Sequence, residues 1–425
     1  MRFDPHHRRV VITGLGVITG LGVISAAGST LPEFWDNIRL GHSGARRVSR
    51  FETAGLPNEI AAEISDFDFS RYGDPKKARR FERSIQYGIA AAIQAARDAS
   101  LDLTKINPDR VGVIEASSVG GMESSFKGQT TFETRGYKAM SPFTLINAYC
   151  GGGSGEIALE LGTQGLAVTY SSGSASGNDV IGYALNLIQH DEVDILVAGG
   201  SEAPLLAPLW AAFCQMKVMT RRNDDPPRSM RPFDRSRDGF LLGEGAAFLV
   251  LEELSHALDR GAPIYAEVLG HGRSCEAHHS VAPHPDGIGM TRAIEKALRQ
   301  ARVLPAEISY INAHGTATDT NDQVETRAIK RLFGPHAQQV AVSSTKPVTG
   351  HLLAAAGAIE TAICALAIKH QVMPPTLNFQ EAADGCDLDY IPNQARPYPI
   401  RLAMNLNVGF GGKNSCLILR EYQPF

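Results

Sequence analysis

An α/β fold built from two similar halves is the class this sequence predicts, and three observations predict it. Short runs rich in β-branched and apolar residues alternate with longer runs of helical spacing. The alternation starts over after about residue 260. The composition is that of an ordinary globular protein, 43% hydrophobic and 20% charged over 425 residues. That length suffices for two domains or one large duplicated one.

The first half, residues 1–260, opens on the strand RRVVITGLG. The helical run SIQYGIAAAIQAARDA follows, then the strands RVGVIEASS and LAVTYSS. The helix NDVIGYALNLIQ and the strands VDILVAGG and AAFLVLEE complete it. The second half, residues 261–425, restarts with the strand IYAEVLGHG and the helix TRAIEKALRQA. ISYINAHG, VETRAIKRLF and QVAVSST read as strand, helix and strand. HLLAAAGAIETAICALAIKH, 351–370, carries Glu360 and Thr361 near its middle, so it reads as a buried core helix rather than a membrane span. LNVGFGGKNSCLILRE closes the chain as a glycine-rich hairpin. The restart is the trace a pseudo-repeat leaves, although alternation alone does not establish one.

Several classes are excluded. A net charge of -4 and the lack of a long basic run argue against nucleic-acid binding. The start MRFDPHHRRVVITG has no apolar core or small-residue cleavage site, so no signal peptide is expected. The six cysteines are scattered without a CxxC pair, which points to reduced thiols in the cytoplasm and not to zinc. No HExxH occurs among the 13 histidines, and no metal site is expected. GLGVIT at 14–19 is followed by GLGVIS at 20–25. Thr19 occupies the last glycine position of GxGxxG, so the pair reads as a local duplication and not a nucleotide loop.

Four segments carry candidate chemistry. SSGSASGND, 171–179, lies between a strand and a helix and presents Ser174 at a helix start. Ser172 and Ser176 stand where a hydrolase elbow needs glycines, so that motif is absent, and close packing is the plain alternative for the turn. In NAHGTATDTND, His314 ends a strand, and Thr316 and Thr318 follow it toward a cleft. In SSTKPVTGHLLAAAG, Thr349 is a plausible cap and His351 falls in the first helical turn. The helix dipole and a nearby Lys346 would both disfavour an imidazolium there, leaving a neutral N–H donor. Alone, each histidine would more often be structural. In NVGFGGKNS, 407–415, glycines permit close backbone approach and free amides for an oxyanion.

Taken in chain order, RRVVITGLGVI, RPFDRSRDGFLLGEGAAFLVLEE, NAHGTATDTND, SSTKPVTGHLLAAAG and NVGFGGKNS resemble the β-ketoacyl synthase, or condensing enzyme, family along essentially the whole chain. The resemblance implies a thiolase-like fold of two pseudo-repeated halves in αβαβα layers. It implies a Cys-His-His site whose histidines fall on His314 and His351, whose lysine falls on Lys346, and whose acyl-accepting cysteine falls on Ser174. Oxyanion amides would come from Ser174 and Val408. Thr316, Thr318, Val408 and Phe410 would bind substrate. It also implies an acyl-carrier-protein partner, a homodimer or a heterodimer with a related subunit, and no cofactor beyond the carrier's phosphopantetheine.

Two departures shape the expected function. A cysteine at a helix start is acidified and partly ionised, whereas a serine hydroxyl there needs a general base. Ser174 should therefore load acyl groups poorly. Val408 replaces the phenylalanine usual in fatty-acid condensing enzymes. Decarboxylation of a malonyl thioester needs only the two imidazole donors on the developing enolate, and can survive. The expected role is that of the serine-type ketosynthases of polyketide β-branching cassettes, which convert malonyl-carrier protein to acetyl-carrier protein. A silent chain-length subunit and a Ser174-dependent acyltransferase are the alternatives.

Overall fold

The computed structural model of the protein describes residues 8–19 and 30–424. Ten strands of the described residues form one mixed sheet. In the first half these are β1 Val10–Thr19, β2 Val111–Ala116, β3 Ala167–Tyr170, β4 Ile195–Glu202 and β5 Gly245–Glu253. In the second they are β6 Ala266–Cys275, β7 Tyr310–Asn312, β8 Ala341–Ser343, β9 Leu402–Gly409 and β10 Lys413–Arg420. The order is β8-β7-β9-β10-β6-β1-β5-β4-β2-β3.

That order is a duplication. From the centre outward, the first half runs β1-β5-β4-β2-β3 and the second β6-β10-β9-β7-β8. The directions repeat as well. Parallel β2–β3 and β2–β4 match β7–β8 and β7–β9. Antiparallel β4–β5 and β5–β1 match β9–β10 and β10–β6. The halves join where β1 pairs antiparallel with β6, Val10 opposite Val268.

The helices that matter for the site are α1 Arg83–Asp98, α2 Met122–Arg135, α3 Gly152–Leu161, α4 Ser176–Gln189, α5 Ala207–Met216, α6 Ile288–Ala301, α7 Asp319–Phe333 and α8 Ala356–His370. α4 and α8 form a central layer, each touching strands of both halves and each other. α1 and α3 cover the outer face of the first half, and α6 with α7 that of the second. These are the αβαβα layers of the thiolase-like fold. The closing hairpin forms as expected, β9 against β10.

Glycine sets two of the closest approaches. A β-carbon on Gly16 would lie 1.9 Å from the Ala91 carbonyl oxygen of α1. At the α4–α8 crossing, a β-carbon on Gly177 would lie 2.4 Å from Ala358 N, and one on Gly357 2.5 Å from Asn178 N. The first GLGVIT copy thus lies in β1, with its glycines pressed on α1. The second copy lies outside the described residues. Among those described, the stretch long and apolar enough to cross a membrane is Leu353–His370. It is buried inside the molecule, as the embedded Glu360 led us to expect.

Candidate active site

The strand-to-helix connection at β3–α4 presents Ser174. Gly173 takes φ 67°, a conformation that costs a residue with a β-carbon. Ser174 follows, and α4 begins two residues later. Its Oγ lies 3.0 Å from His351 Nε2. The His314 ring meets the His351 ring edge-on, with centroids 5.4 Å apart, and Phe240 packs edge-on against His351 at 5.2 Å. Residues from both halves thus converge on one point.

His314 stands two residues beyond β7. Its amide donates to Glu325 Oε1 at 2.6 Å, and the Gly315 amide donates to Oε2 at 2.8 Å. Glu325, on α7, therefore fixes the backbone that carries the imidazole. Burial pushes its carboxyl up to about 7.

His351 is placed differently from the sequence expectation. It is not in the first turn of α8, and Thr349 does not cap that helix. Lys346–Thr349 is a separate short helix, and His351 sits in a bridge to Leu242, its amide donating to the Leu241 carbonyl at 2.7 Å. Helix α8 starts five residues later. The pattern HLLAAAG reads as helical because every side chain after the histidine is apolar, but the chain spends those residues crossing into the core. The expected neutrality has another cause. Burial holds both histidines well below their ordinary value, with Lys346 adding to it and His351 further lowering His314.

The tautomers follow from accounting for polar atoms. Both Nδ1 atoms are buried with no partner among the described residues. A buried N–H without an acceptor is rarer than an unused lone pair. The proton therefore sits on Nε2, and His351 Nε2–H donates to Ser174 Oγ.

Lys346 does not reach the cavity. Its Nζ lies 2.5 Å from Glu360 Oε1, both groups buried, and Asn407 Nδ2 donates to Glu360 Oε2 at 2.5 Å. Burial raises the Glu360 pKa while Lys346 opposes the rise. Lys346 thus acts on the histidines through its charge. Glu325, Glu360 and Asn407 do not stand out in the sequence as site residues. Glu360 carried a signal, a carboxylate inside an apolar helix.

Ser174, His314, His351, Thr316, Thr318, Val408 and Phe410 line one cavity of about 300 Å³, with Val119, Phe213, Val218 and Phe240 as apolar wall. Thr316 Oγ1 and Thr318 Oγ1 are 3.0 Å apart. Val408 is a wall residue whose neighbours are Met290, Val324 and Ala328. Its backbone is paired with Asn414 inside the β9–β10 hairpin. The amide beside the serine turn belongs instead to Phe410, just past β9. A methyl group on Gly173 would lie 3.7 Å from Phe410 N. The second oxyanion amide is thus placed better at Phe410 than at Val408. No group of three or more His, Cys, Asp or Glu side chains able to hold a metal occurs among the described residues.

Comparison with known proteins agrees with this architecture. Residues 8–257 match the β-ketoacyl synthase N-terminal domain and residues 265–380 its C-terminal domain. A 3-oxoacyl-[acyl-carrier-protein] synthase 2 of Coxiella burnetii is 41% identical over 412 residues, covering 97% of this chain and 98% of that protein. A putative polyketide β-ketoacyl synthase 1 of Streptomyces halstedii is 40% identical, covering 97% and 98%. Among solved structures, the ishigamide ketosynthase/chain length factor superposes with a TM-score of 0.91 at 36% identity, covering 98% of this chain and all of that one. A type II polyketide ketosynthase in complex with its acyl-carrier protein gives 0.88 at 33%, with 98% and 100% coverage. By sequence, fold and the two domains matched, the chain belongs to the β-ketoacyl synthase family.

Proposed function

We propose that this protein decarboxylates malonyl-acyl-carrier protein to acetyl-acyl-carrier protein without chain elongation, in the cytoplasm, as a ketosynthase-like enzyme of polyketide β-branching. The observation that carries the reading is a pair of buried, neutral imidazoles facing a hydroxyl where the family's chemistry uses a thiol. The bond between the malonyl carboxylate and the α-carbon breaks, and carbon dioxide leaves. The electron pair passes into a thioester enolate, whose oxygen accepts hydrogen bonds from His314 and His351. With no acyl group to attack, the α-carbon takes a proton and the acetyl thioester results. Thr316 and Thr318 would contact the pantetheine arm.

The same geometry argues against Ser174 as an acyl acceptor. A hydroxyl needs a base held by a third group. His351 Nδ1 has no such partner among the described residues, and burial makes the imidazole a poor base. The likeness to a ketosynthase/chain length factor favours a second reading, a non-elongating subunit of a heterodimer. Retention of both histidines supports the enzyme. Either reading needs a partner subunit. β3 is an edge strand, exposed Val168 lies on it, and exposed Leu159 lies on α3, which packs against it. A homodimer through that face fits the enzyme reading.

The test is intact mass spectrometry of malonyl-loaded carrier protein incubated with the protein. Conversion to the acetyl form is expected, and His314→Ala should slow it about 100- to 1,000-fold by removing one donor. Unchanged malonyl-carrier protein across several carriers would overturn the enzyme reading and leave the subunit.

A further inference from the structure

Loss of carbon dioxide leaves one step without an agent: the α-carbon of the enolate must gain a proton. Among the described residues, no carboxyl or amino group lines the cavity. Lys346 is held outside it by Glu360. The Nε2–H groups of His314 and His351 are engaged on the enolate oxygen, and a neutral imidazole that gave up its one proton would become a buried anion, which is costly. The hydroxyls divide clearly. Thr316 Oγ1 and Thr318 Oγ1 bond to each other at 3.0 Å. Ser118 lines the cavity, but its Oγ is buried away from the open space. Thr320 is exposed at the start of α7. Ser174 remains.

The bond that Ser174 makes is informative. A hydroxyl has one proton to give and two lone pairs to offer. Ser174 Oγ, 3.0 Å from His351 Nε2, spends a lone pair there. Its own proton has no acceptor among the described residues. The place is right as well. The enolate oxygen takes its bond from the same Nε2–H, so that oxygen and Ser174 Oγ are neighbours around one nitrogen. The α-carbon stands two bonds from the enolate oxygen, which brings it within reach of the serine proton. A thioester C–H is a far weaker acid than a serine hydroxyl, so the transfer runs downhill. The oxygen left behind faces the His351 N–H and the positive end of α4, which begins two residues later.

We infer that Ser174 is the proton donor that ends the reaction, a role that deepens the decarboxylase reading and rests on it. As carbon dioxide leaves, the Ser174 O–H bond breaks and a C–H bond forms at the α-carbon, with Oγ keeping the electron pair. Oγ then takes a proton from a water molecule reaching the cavity, which departs as hydroxide. One proton is consumed for each carbon dioxide released, and the serine is restored. The weak acidity that bars Ser174 from acting as a nucleophile suits this task, because the hydroxyl keeps its proton until a strongly basic carbon forms beside it.

The experiment separates bond breaking from proton transfer. Malonyl-carrier protein is incubated with the full-length protein in buffer equilibrated with ¹³C-labelled carbon dioxide, and intact mass is read on both the acetyl product and the unreacted malonyl form. With the parent protein, acetyl should accumulate and the malonyl form should keep its mass. Ser174→Ala should slow acetyl formation about 100-fold. Its unreacted malonyl form should gain the mass of the label, because an enolate without a donor recaptures carbon dioxide. Acetyl formation at the parent rate would overturn the assignment. So would slowing without uptake of label in the folded variant, which is what a merely structural role predicts. Ser174→Gly carries the same expectations should the alanine variant not fold. A parent protein that leaves malonyl-carrier protein unchanged would instead remove the decarboxylase reading itself, a result distinct from any of these.

Discussion

At position 174 an oxygen stands where the family's chemistry uses a sulfur, and its surroundings show what that exchange leaves intact. The imidazoles depend on burial and on Lys346, not on the serine. Ser174→Cys should therefore restore a nucleophile without disturbing the donors. The expected outcome is an acyl adduct on the introduced thiol on incubation with an acyl donor, seen by intact mass, followed by condensation with malonyl-carrier protein. Absence of any adduct would mean that the cavity no longer admits an acyl chain. Ser174, His314, His351 and Lys346 were legible because each sits within an ordered motif. The oxyanion amide was not: whether an amide points into a ladder or past its end depends on strand register, and Phe410 lies one residue beyond β9.

At the scale of elements, the sequence reveals strands and helices by period but not where an apolar run changes from loop to helix. HLLAAAG is uniformly apolar after its histidine, so periodicity offers no boundary and extends α8 back to His351. The central crossing was equally hidden, since Gly177 and Gly357 are ordinary residues until two helix backbones meet over them. Gly357→Ala tests that crossing. The added methyl would meet Asn178 N at 2.5 Å and Asn407 Oδ1 at 2.5 Å. Backbone cannot yield as a flexible side chain can, so a loss of about 1–3 kcal/mol or more is expected. Thermal unfolding should show it, and the proposed decarboxylation should fall with it, because the Ser174 turn leads directly into α4. An unaltered melting temperature would mean the helices separate freely.

Across the whole molecule, buried carboxylates give stability a definite pH dependence. Burial pushes Glu115 and Glu202 up to about 7. Each folded-state value lies above its unfolded value. The contribution is thus complete below pH about 4.3 and is lost as pH rises through 7. Glu115→Gln removes one such group. Its stability relative to the parent, followed by thermal unfolding, should rise from pH 5 to about pH 7 and level off above that, with a ceiling of about 3 kcal/mol. A constant difference would contradict the cause. The histidines work in the opposite sense. Held neutral when folded, they weaken the fold as pH falls below the ordinary imidazole value.

The repeated strand order has a consequence for how such an enzyme can change. The acyl position stands on one copy of the ancestral unit, and both proton-bearing rings stand on the other. The two copies could diverge separately, each answerable for a different half of the reaction. On the function proposed above, silencing the nucleophile in one copy forfeits bond making and leaves bond breaking with its sister.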